Sequence, residues 1–217
     1  MNLKNHPLFQ GLSESDLDQL YHAACMRSQF FEKNQTVFHA GDRICEVGIV
    51  QTGNVHIEMI DLWGNKSILS SIAPGQIFAE TYAICRKPLL VDVTAAAPCE
   101  ILFLNLEFLA RSFSEPGSCR DAIMQNLFAI CVRKNLILSN RIFCTTPKTV
   151  RGRLLVYLSS ESAKAGSTSF TIPFDRQGMA DYLNLDRSAL SKELGRMKKD
   201  GILDFKKNHF ILYQNPL

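Results

Sequence analysis

The 217-residue chain has no apolar run approaching the ~18–20 residues that cross a bilayer. Its start, MNLKNHPLF, lacks the apolar core of a signal peptide. A soluble, cytoplasmic protein without a membrane partner is expected. Catalytic signatures are missing as well: there is no G-x-S-x-G, no P-loop, no G-x-G-x-x-G after a strand and no H-E-x-x-H. No convergent polar site for hydrolysis or hydride transfer emerges, so an enzyme is not expected. Seven cysteines are present, at 25, 45, 85, 99, 119, 131 and 144. Their number is odd, no two are separated by two residues, and none stands near a histidine at zinc-finger spacing. In a reducing compartment each is by default a small buried hydrophobe, and no metal site is expected.

With 46% hydrophobic and 21% charged residues, low-complexity disorder is excluded. The length exceeds the usual ~100–150 residues of one domain, so two small domains or one large one are expected. The net charge of +3 hides an asymmetry. Residues 1–146 carry 12 basic and 14 acidic side chains, a balance of −2, whereas residues 147–217 carry 12 and 7, a balance of +5. Positive charge concentrated in one third of a chain suits a polyanionic partner.

Leu12–Met26 reads as a short helix, with Ser13 as N-cap, Asp16 three residues on, and an apolar face of Leu17, Leu20, Tyr21 and Ala24. Short branched runs follow at Thr36–His39, Val47–Gln51, Val55–Ile60, Ser67–Ile72 and Glu100–Leu104. Gly41-Asp42, Thr52-Gly53-Asn54, Gly64-Asn65 and Pro74-Gly75 separate them. Such spacing predicts a sandwich or barrel ending near Phe108. Val55, Ile57 and Met59 alternate with Asn54, His56 and Glu58, as in a half-buried strand. Glu115-Pro116-Gly117 then opens a long helix to about Phe143. Along it Met124, Phe128, Cys131, Asn135, Leu138 and Ile142 recur at alternating spacings of four and three, a seam suited to a homodimer, with one Asn to fix register. The neighbouring register (Ile123, Leu127, Ile130, Lys134, Ile137, Arg141) is interrupted by charge.

From Pro147 the elements shorten. Val150, Leu154, Leu155 and Leu158 form a helix face ended by the polar stretch Ser159–Thr168, and Phe170, Ile172 and Phe174 alternate as a strand. Asp175 can cap a helix through Met179, Ala180, Tyr182 and Leu183. Asn184 tolerates the left-handed conformation of a tight turn, Asp186 can cap a further helix to Lys199, and Gly201 can stop it. Ile202–Phe205 and Phe210–Tyr213 bracket Lys206-Lys207-Asn208-His209 as a hairpin. Helix, tight turn, helix and hairpin spell a winged helix-turn-helix. Leu190, Leu194 and Met197 belong inward. Arg187, Ser188, Ser191, Lys192 and Gly195 face outward without an acid among them, a surface suited to base edges and phosphates in a major groove. Gly195 would let the backbone lie close to DNA. Lys206, Lys207 and Arg176 are placed for phosphate. The expected class is α+β: an N-terminal β-roll (jelly-roll-like) sensor domain over 1–115, a long dimerisation helix over 116–143 and a C-terminal winged helix-turn-helix over 147–217.

Over residues 7–214 the chain resembles the CRP/FNR family of bacterial transcription regulators, through HPLFQGLSESDL, GIVQTGNVHI, APGQIFAE and ADYLNLDRSALSKELGRMKKDGIL. The resemblance implies an effector-sensing, cyclic-nucleotide-binding-type β-roll, a helix pairing two subunits, and winged domains on palindromic double-stranded DNA, with RNA polymerase as a further partner. Such regulators place Glu, Ser or Thr, and Arg on bases. The matching positions are Ser188, Ser191 and Lys192, and the glutamate is missing, so the common half-site does not transfer. Glu80, after Phe78-Ala79, corresponds to the family's ribose-binding carboxylate, but Leu90 and Val91 stand where an Arg and a small hydroxyl hold the cyclic phosphate. A gap in the match would offer Arg86 or Lys87 instead, with Pro88 directly after them.

An anionic phosphate without its bidentate Arg goes uncompensated, so cyclic AMP is not expected. Phe78, Glu80, Thr81, Tyr82 and Leu90 would instead line a pocket for a small, partly hydrophobic effector. The iron–sulfur branch carries N-terminal cysteines, and residues 1–24 contain none. His22, His39 and His56 are only loose candidates for haem ligation, and no cofactor is expected. Thiol sensing through Cys85, beside Arg86 and Lys87, or through Cys131 on the seam is an alternative. A non-DNA-binding ligand module is another, set against it by the basic outer helix face.

Overall fold

The computed structural model describes residues 3–61, 63 and 66–213. The chain divides into two compact units, Met1–Val132 and Arg133–Leu217. After single 3-10 turns at Leu3–Asn5 and Pro7–Phe9, the first unit contains α1 (Glu14–His22), β1 (Met26–Phe31), β2 (Thr36–Phe38), β3 (Glu46–Thr52), β4 (Val55–Ile60), β5 (Lys66–Ile72) and β6 (Ile77–Phe78). There follow α2 (Glu80–Cys85), β7 (Asp92–Ala95), β8 (Cys99–Asn105), α3 (Leu106–Ser112) and the start of α4 (Cys119–Thr145). The boundary between the units falls inside α4, upstream of residues 144–147, because Cys144 is buried in the core of the second unit.

Two antiparallel four-stranded sheets, ordered β1-β8-β3-β6 and β2-β7-β4-β5, face each other. Phe31, Phe38, Val50, Phe78, Val93, Ile101 and Phe103 fill the space between them. The first sheet carries helices on its other face, where Val47, Ile49, Leu102 and Leu104 meet Leu8, Phe9, Leu20, Leu109, Ile123 and Leu127. Burial on both faces is why β3 and β8 read as unbroken apolar runs rather than alternating ones. Close approach fixes one position: Gly48 pairs with Phe78, and a Cβ there would lie 2.1 Å from the Phe78 ring. This antiparallel sandwich is the expected β-roll.

Several local expectations are corrected. The Ser13–Asp16 capping box forms, but α1 stops at His22. Ala24 takes a left-handed φ of 54° and Met26 opens β1, so the buried helix face is Leu17 and Leu20, while Tyr21 is largely exposed. The alternation read into β4 breaks at Ile57. A register shift between Ile57 and Glu58 turns Glu58 inward, where Lys66 pairs with it at 2.6 Å, and turns Met59 outward. The sequence pattern does not predict β1, β6 or β7, and the strands of this unit end at Asn105, with Phe108 in α3. The turn assigned to Gly64-Asn65 lies outside the described residues.

The second unit comprises the end of α4, α5 (Val150–Ala165), β9 (Ser169–Thr171), α6 (Arg176–Leu183), α7 (Arg187–Lys199), β10 (Leu203–Lys206) and β11 (His209–Leu212). α5 continues through the polar stretch after Leu158, since Ser162 is buried and bonds to the Ser167 carbonyl, and Gly166 then ends it. The three strands form a sheet ordered β10-β11-β9. Leu154, Leu158, Met179, Leu183, Leu190, Leu194, Met197 and Phe210 form one core.

His6 is buried near the N-terminus. Its Nδ1 accepts the Leu8 N–H at 3.2 Å, and its Nε2 lies 3.0 Å from the Gly75 carbonyl, which defines the neutral ring with the proton on Nε2. Burial holds its pKa below the usual histidine value, against the opposing effect of the Gly75 bond. The unfolded chain therefore takes up this proton first as pH falls below about 6.5, and stability declines in that direction. Urea midpoints should drop between pH 7.5 and 5.5, and His6→Gln should flatten that drop.

Candidate nucleic-acid interface

The helix-turn-helix is built by side chains that close backbone ends. Asp175 accepts the Gly178 N–H at 2.7 Å and starts α6, and Asn184 ends it at φ 53°. Asp186 accepts the Ala189 N–H at 2.9 Å and starts α7. The Ser188 hydroxyl also donates to Asp186, and these bonds hold the Asp186 carboxyl below its usual pKa. Ser188 is thus engaged in the cap, and its oxygen remains available only as an acceptor.

Six cations of this unit are committed to the fold. Arg141 donates to the Asp181 and Tyr182 carbonyls, each at 3.1 Å. Arg153 donates to those of Leu183 at 3.1 Å and Asn184 at 2.8 Å. Arg151 reaches from α5 to Glu193 and Asp200, both at 2.6 Å, and its proximity holds the Glu193 carboxyl below its usual pKa. Arg196 also pairs with Glu193, and Lys198 pairs with Asp204. The one acid in the middle of α7 is therefore turned away from the outer face and neutralised. Arg176 lies 4.8 Å from the Phe205 ring centre and 5.3 Å from that of Phe210, partly buried, and burial lowers its pKa. Assigned to phosphate on sequence grounds, Arg176 first ties the start of α6 to the wing.

Among the described residues, Arg187, Lys192, Lys199, Lys206 and Lys207 have no ion pair or side-chain hydrogen bond. Ser191 and Lys192 are exposed on α7, opposite the fully buried Leu190, Leu194 and Met197. Lys206 pairs with His209 across the hairpin, so Lys207 and Asn208 form its tip. Asp175, Arg176, Gln177, Arg187, Lys207 and Asn208 line a cleft of about 440 Å³ between the start of α6, the start of α7 and that tip. Three cations face one carboxylate there, and that carboxylate is already a helix cap. The roles of Arg141, Arg151 and Arg153 leave no mark in the sequence, since the groups they tie to across the unit lie 30 to 49 residues away.

The other predicted sites are less concentrated. Phe78 is buried between the sheets, Glu80 is buried at the start of α2, and Tyr82 is half-buried against the same core. Thr81 is exposed. Leu90 is 74% exposed and Leu89 is the buried neighbour, because Leu89 pairs through its backbone with Gly41 and Asp42 and the side chains alternate from there. Leu90 therefore does not join Phe78 in a pocket. On α4, Met124, Phe128, Leu138 and Ile142 are exposed, Phe128 by 72%, as is Asn135, while Cys131 is half-buried. The neighbouring register supplies Ile123 and Leu127 to the core of the first unit. Cys25, Cys99 and Cys144 are buried, which raises their thiol pKa values, and Cys85 is exposed.

A capped recognition helix with a cationic outer face, beside a basic wing, defines a sequence-specific DNA-binding protein of the winged helix-turn-helix class. Residues 28–115 match the cyclic nucleotide-binding domain model and residues 152–216 the Crp-like helix-turn-helix domain model. The chain belongs to the CRP/FNR family of transcription regulators. It is 23% identical over 210 residues to the electron transport regulator A of Shewanella oneidensis, covering 93% of this chain and 80% of that one. Against the fumarate and nitrate reduction regulatory protein of Escherichia coli the identity is 24% over 211 residues, covering 94% and 81%. The structure of OCPA-complexed CprK superposes with a TM-score of 0.61 at 17% identity, covering 91% and 92% of the two chains, and shares the fold.

A Cβ on Gly195 would meet nothing within 4 Å inside the protein. Gly195→Ala should therefore stabilise α7 by about 0.5–1 kcal/mol while weakening DNA binding if the helix backbone approaches the duplex there. Thermal denaturation and mobility-shift titration should move in opposite directions.

Proposed function

We propose that this regulator binds palindromic double-stranded DNA as a homodimer in the cytoplasm, paired along the α4 seam. Ser191 and Lys192 read base edges, and Ser188 contributes an acceptor. Arg187, Lys206 and Lys207 hold phosphates, and Arg176 holds the wing that presents Lys206 and Lys207. In this reading residues 1–115 sense, 116–143 dimerise and 147–217 bind DNA, with RNA polymerase as a partner at the promoter. The observation that carries it is the sorting of charge in the C-terminal unit. Partnered arginines tie the helices together, and Arg187, Lys192, Lys199, Lys206 and Lys207, which have no partner among the described residues, lie on α7 and the wing.

The effector is a small molecule other than a cyclic nucleotide. Supporting this, Leu90 and Val91 stand where a cyclic phosphate would require a cation and a hydroxyl, and the space between the sheets is packed with phenylalanines. Neither Glu80 nor Tyr82 supplies the missing positive charge. Differential affinity for two states of the dimer is the route by which such a molecule controls DNA binding.

Selection from random duplexes should enrich an inverted repeat with half-sites about one helical turn, ~34 Å, apart. Failure to enrich any sequence would overturn the reading. On the selected site Lys192→Ala should cost about 1–3 kcal/mol, and Lys206→Ala should lower the salt slope by roughly one. Phe128→Ala removes from each subunit one side chain that the proposed seam buries. At ~1.5–3 kcal/mol apiece, the dimer dissociation constant should rise at least about a hundredfold by sedimentation.

A further inference from the structure

The N-terminal unit contains a second concavity, outside the space between the sheets. Its volume is about 330 Å³, within the range that small ligands occupy. Ala83, Ile84 and Arg86 line it from α2 and the residue that ends it, Leu109 and Ala110 from α3, and Met124 from α4. Cys45, just before β3, lies on its wall and accepts a hydrogen bond from Asn105 Nδ2 at 3.3 Å. Most of the lining is apolar, and small side chains stand where α2 and α3 face the opening.

The polar groups of this cleft are not equally committed. Arg120 is held by Asp121 at 2.8 Å and reaches the Ser114 carbonyl. Arg86 is held at its backbone, where Arg43 donates to its carbonyl at 3.1 Å and φ is 52°. Its guanidinium, however, is 76% exposed and, among the described residues, meets only Glu107 at 3.6 Å, too far for a good hydrogen bond. A loose, solvent-exposed pair of this kind contributes little and is readily exchanged. One guanidinium with unused donors, set at the rim of an apolar cleft, matches one carboxylate attached to a short apolar body. A dianionic phosphate would call for more donors than Arg86 supplies. A neutral apolar molecule would leave the guanidinium as unsatisfied as before.

We propose that this cleft is a binding site for a small aliphatic monocarboxylate. The carboxylate pairs with Arg86, displacing Glu107, and the chain lies against Ala83, Ile84, Leu109, Ala110 and Met124. Because Met124 also belongs to the α4 seam, the site deepens the effector reading above and rests on it for its consequence. The binding itself depends on neither DNA nor dimerisation.

Hexanoate and 4-methylpentanoate titrated into the full chain, without DNA, should bind saturably by calorimetry and ligand-observed magnetic resonance. Hexanamide, isosteric but neutral, should bind at least about tenfold more weakly, and Arg86→Gln should weaken hexanoate by a similar factor. Ala110 is exposed, so Ala110→Trp should fold normally while filling the cleft, and should abolish binding. Unchanged circular dichroism and an unchanged thermal midpoint would certify that both variants fold. Absence of saturable binding by both acids, or binding indifferent to Arg86→Gln and Ala110→Trp, would overturn the site. Failure of the DNA-binding reading would appear separately, in the selection experiment.

Discussion

The end of α6 turns directly into the next helix, and an α-helix leaves its last carbonyls without partners. Four consecutive carbonyls, from Asp181 to Asn184, are met by two guanidinium groups, Arg141 from α4 and Arg153 from α5. Cations at a helix C-terminus also oppose its dipole. The consequence reaches beyond α6. With that end closed, Asn184 can turn the chain within a few residues, Asp186 can open α7, and Arg151 can draw Glu193 back toward α5. The outer face of α7 is acid-free because that carboxylate has somewhere else to go. Without Arg151, only Arg196, on α7 itself, would hold Glu193, and the carboxylate would no longer be drawn toward α5.

The sensing unit depends on a comparable constraint, the double burial of β3 and β8. Because both faces of that sheet are covered, the side chains alternate between two cores, and no polar pocket opens along them. Phe38, Phe78 and Phe103 pack edge-to-face or tilted between the sheets, with ring centres about 5.6 to 6.2 Å apart. Phe78 further presses on Gly48, where any side chain would collide. A ligand entering between the sheets must displace packed aromatic area. The cleft bounded by α2, α3 and α4 imposes no such cost, since it is already open and its guanidinium is only loosely paired. This contrast favours the helical side of the sheet over its interior as the place where a small molecule is read.

What the sequence made legible follows the range of the interaction. Caps are local: Ser13 with Asp16, Asp175 with Gly178, Asn184 at the turn and Asp186 with Ala189 all stand where their residue types and spacing put them. The faces of α7 are legible for the same reason, since Leu190, Leu194 and Met197 follow helical spacing. Where a distant partner decides, the reading fails. β1 and β7 are strands because β8 and β4 pair with them, although MRSQFF and DVTA carry weak patterns of their own. The bulge at Ile57–Glu58 reverses side-chain parity without a glycine or proline to announce it. Leu89 and Leu90 exchange places through backbone pairing with a turn some 50 residues earlier. Arg176 was legible as a cation but not as a cation stacked on two wing aromatics.

α4 joins these themes in a single element. Its Ile123 and Leu127 are spent inside the first unit and Cys131 packs against the same core, whereas Met124, Phe128, Leu138 and Ile142 stay exposed. Exposed apolar side chains at this spacing are costly in water and are suited to a second copy of the helix. One residue of that row, Met124, also borders the Arg86 cleft. A flexible thioether can adopt different packings at little cost. A chain bound as proposed against Met124 would change the surface that one α4 offers another in the proposed dimer, without any rearrangement of the sheets. Coupling of this sort needs only a difference in how the ligand contacts Met124 in two states of the seam. Its size is bounded by that difference, not by how tightly the ligand binds.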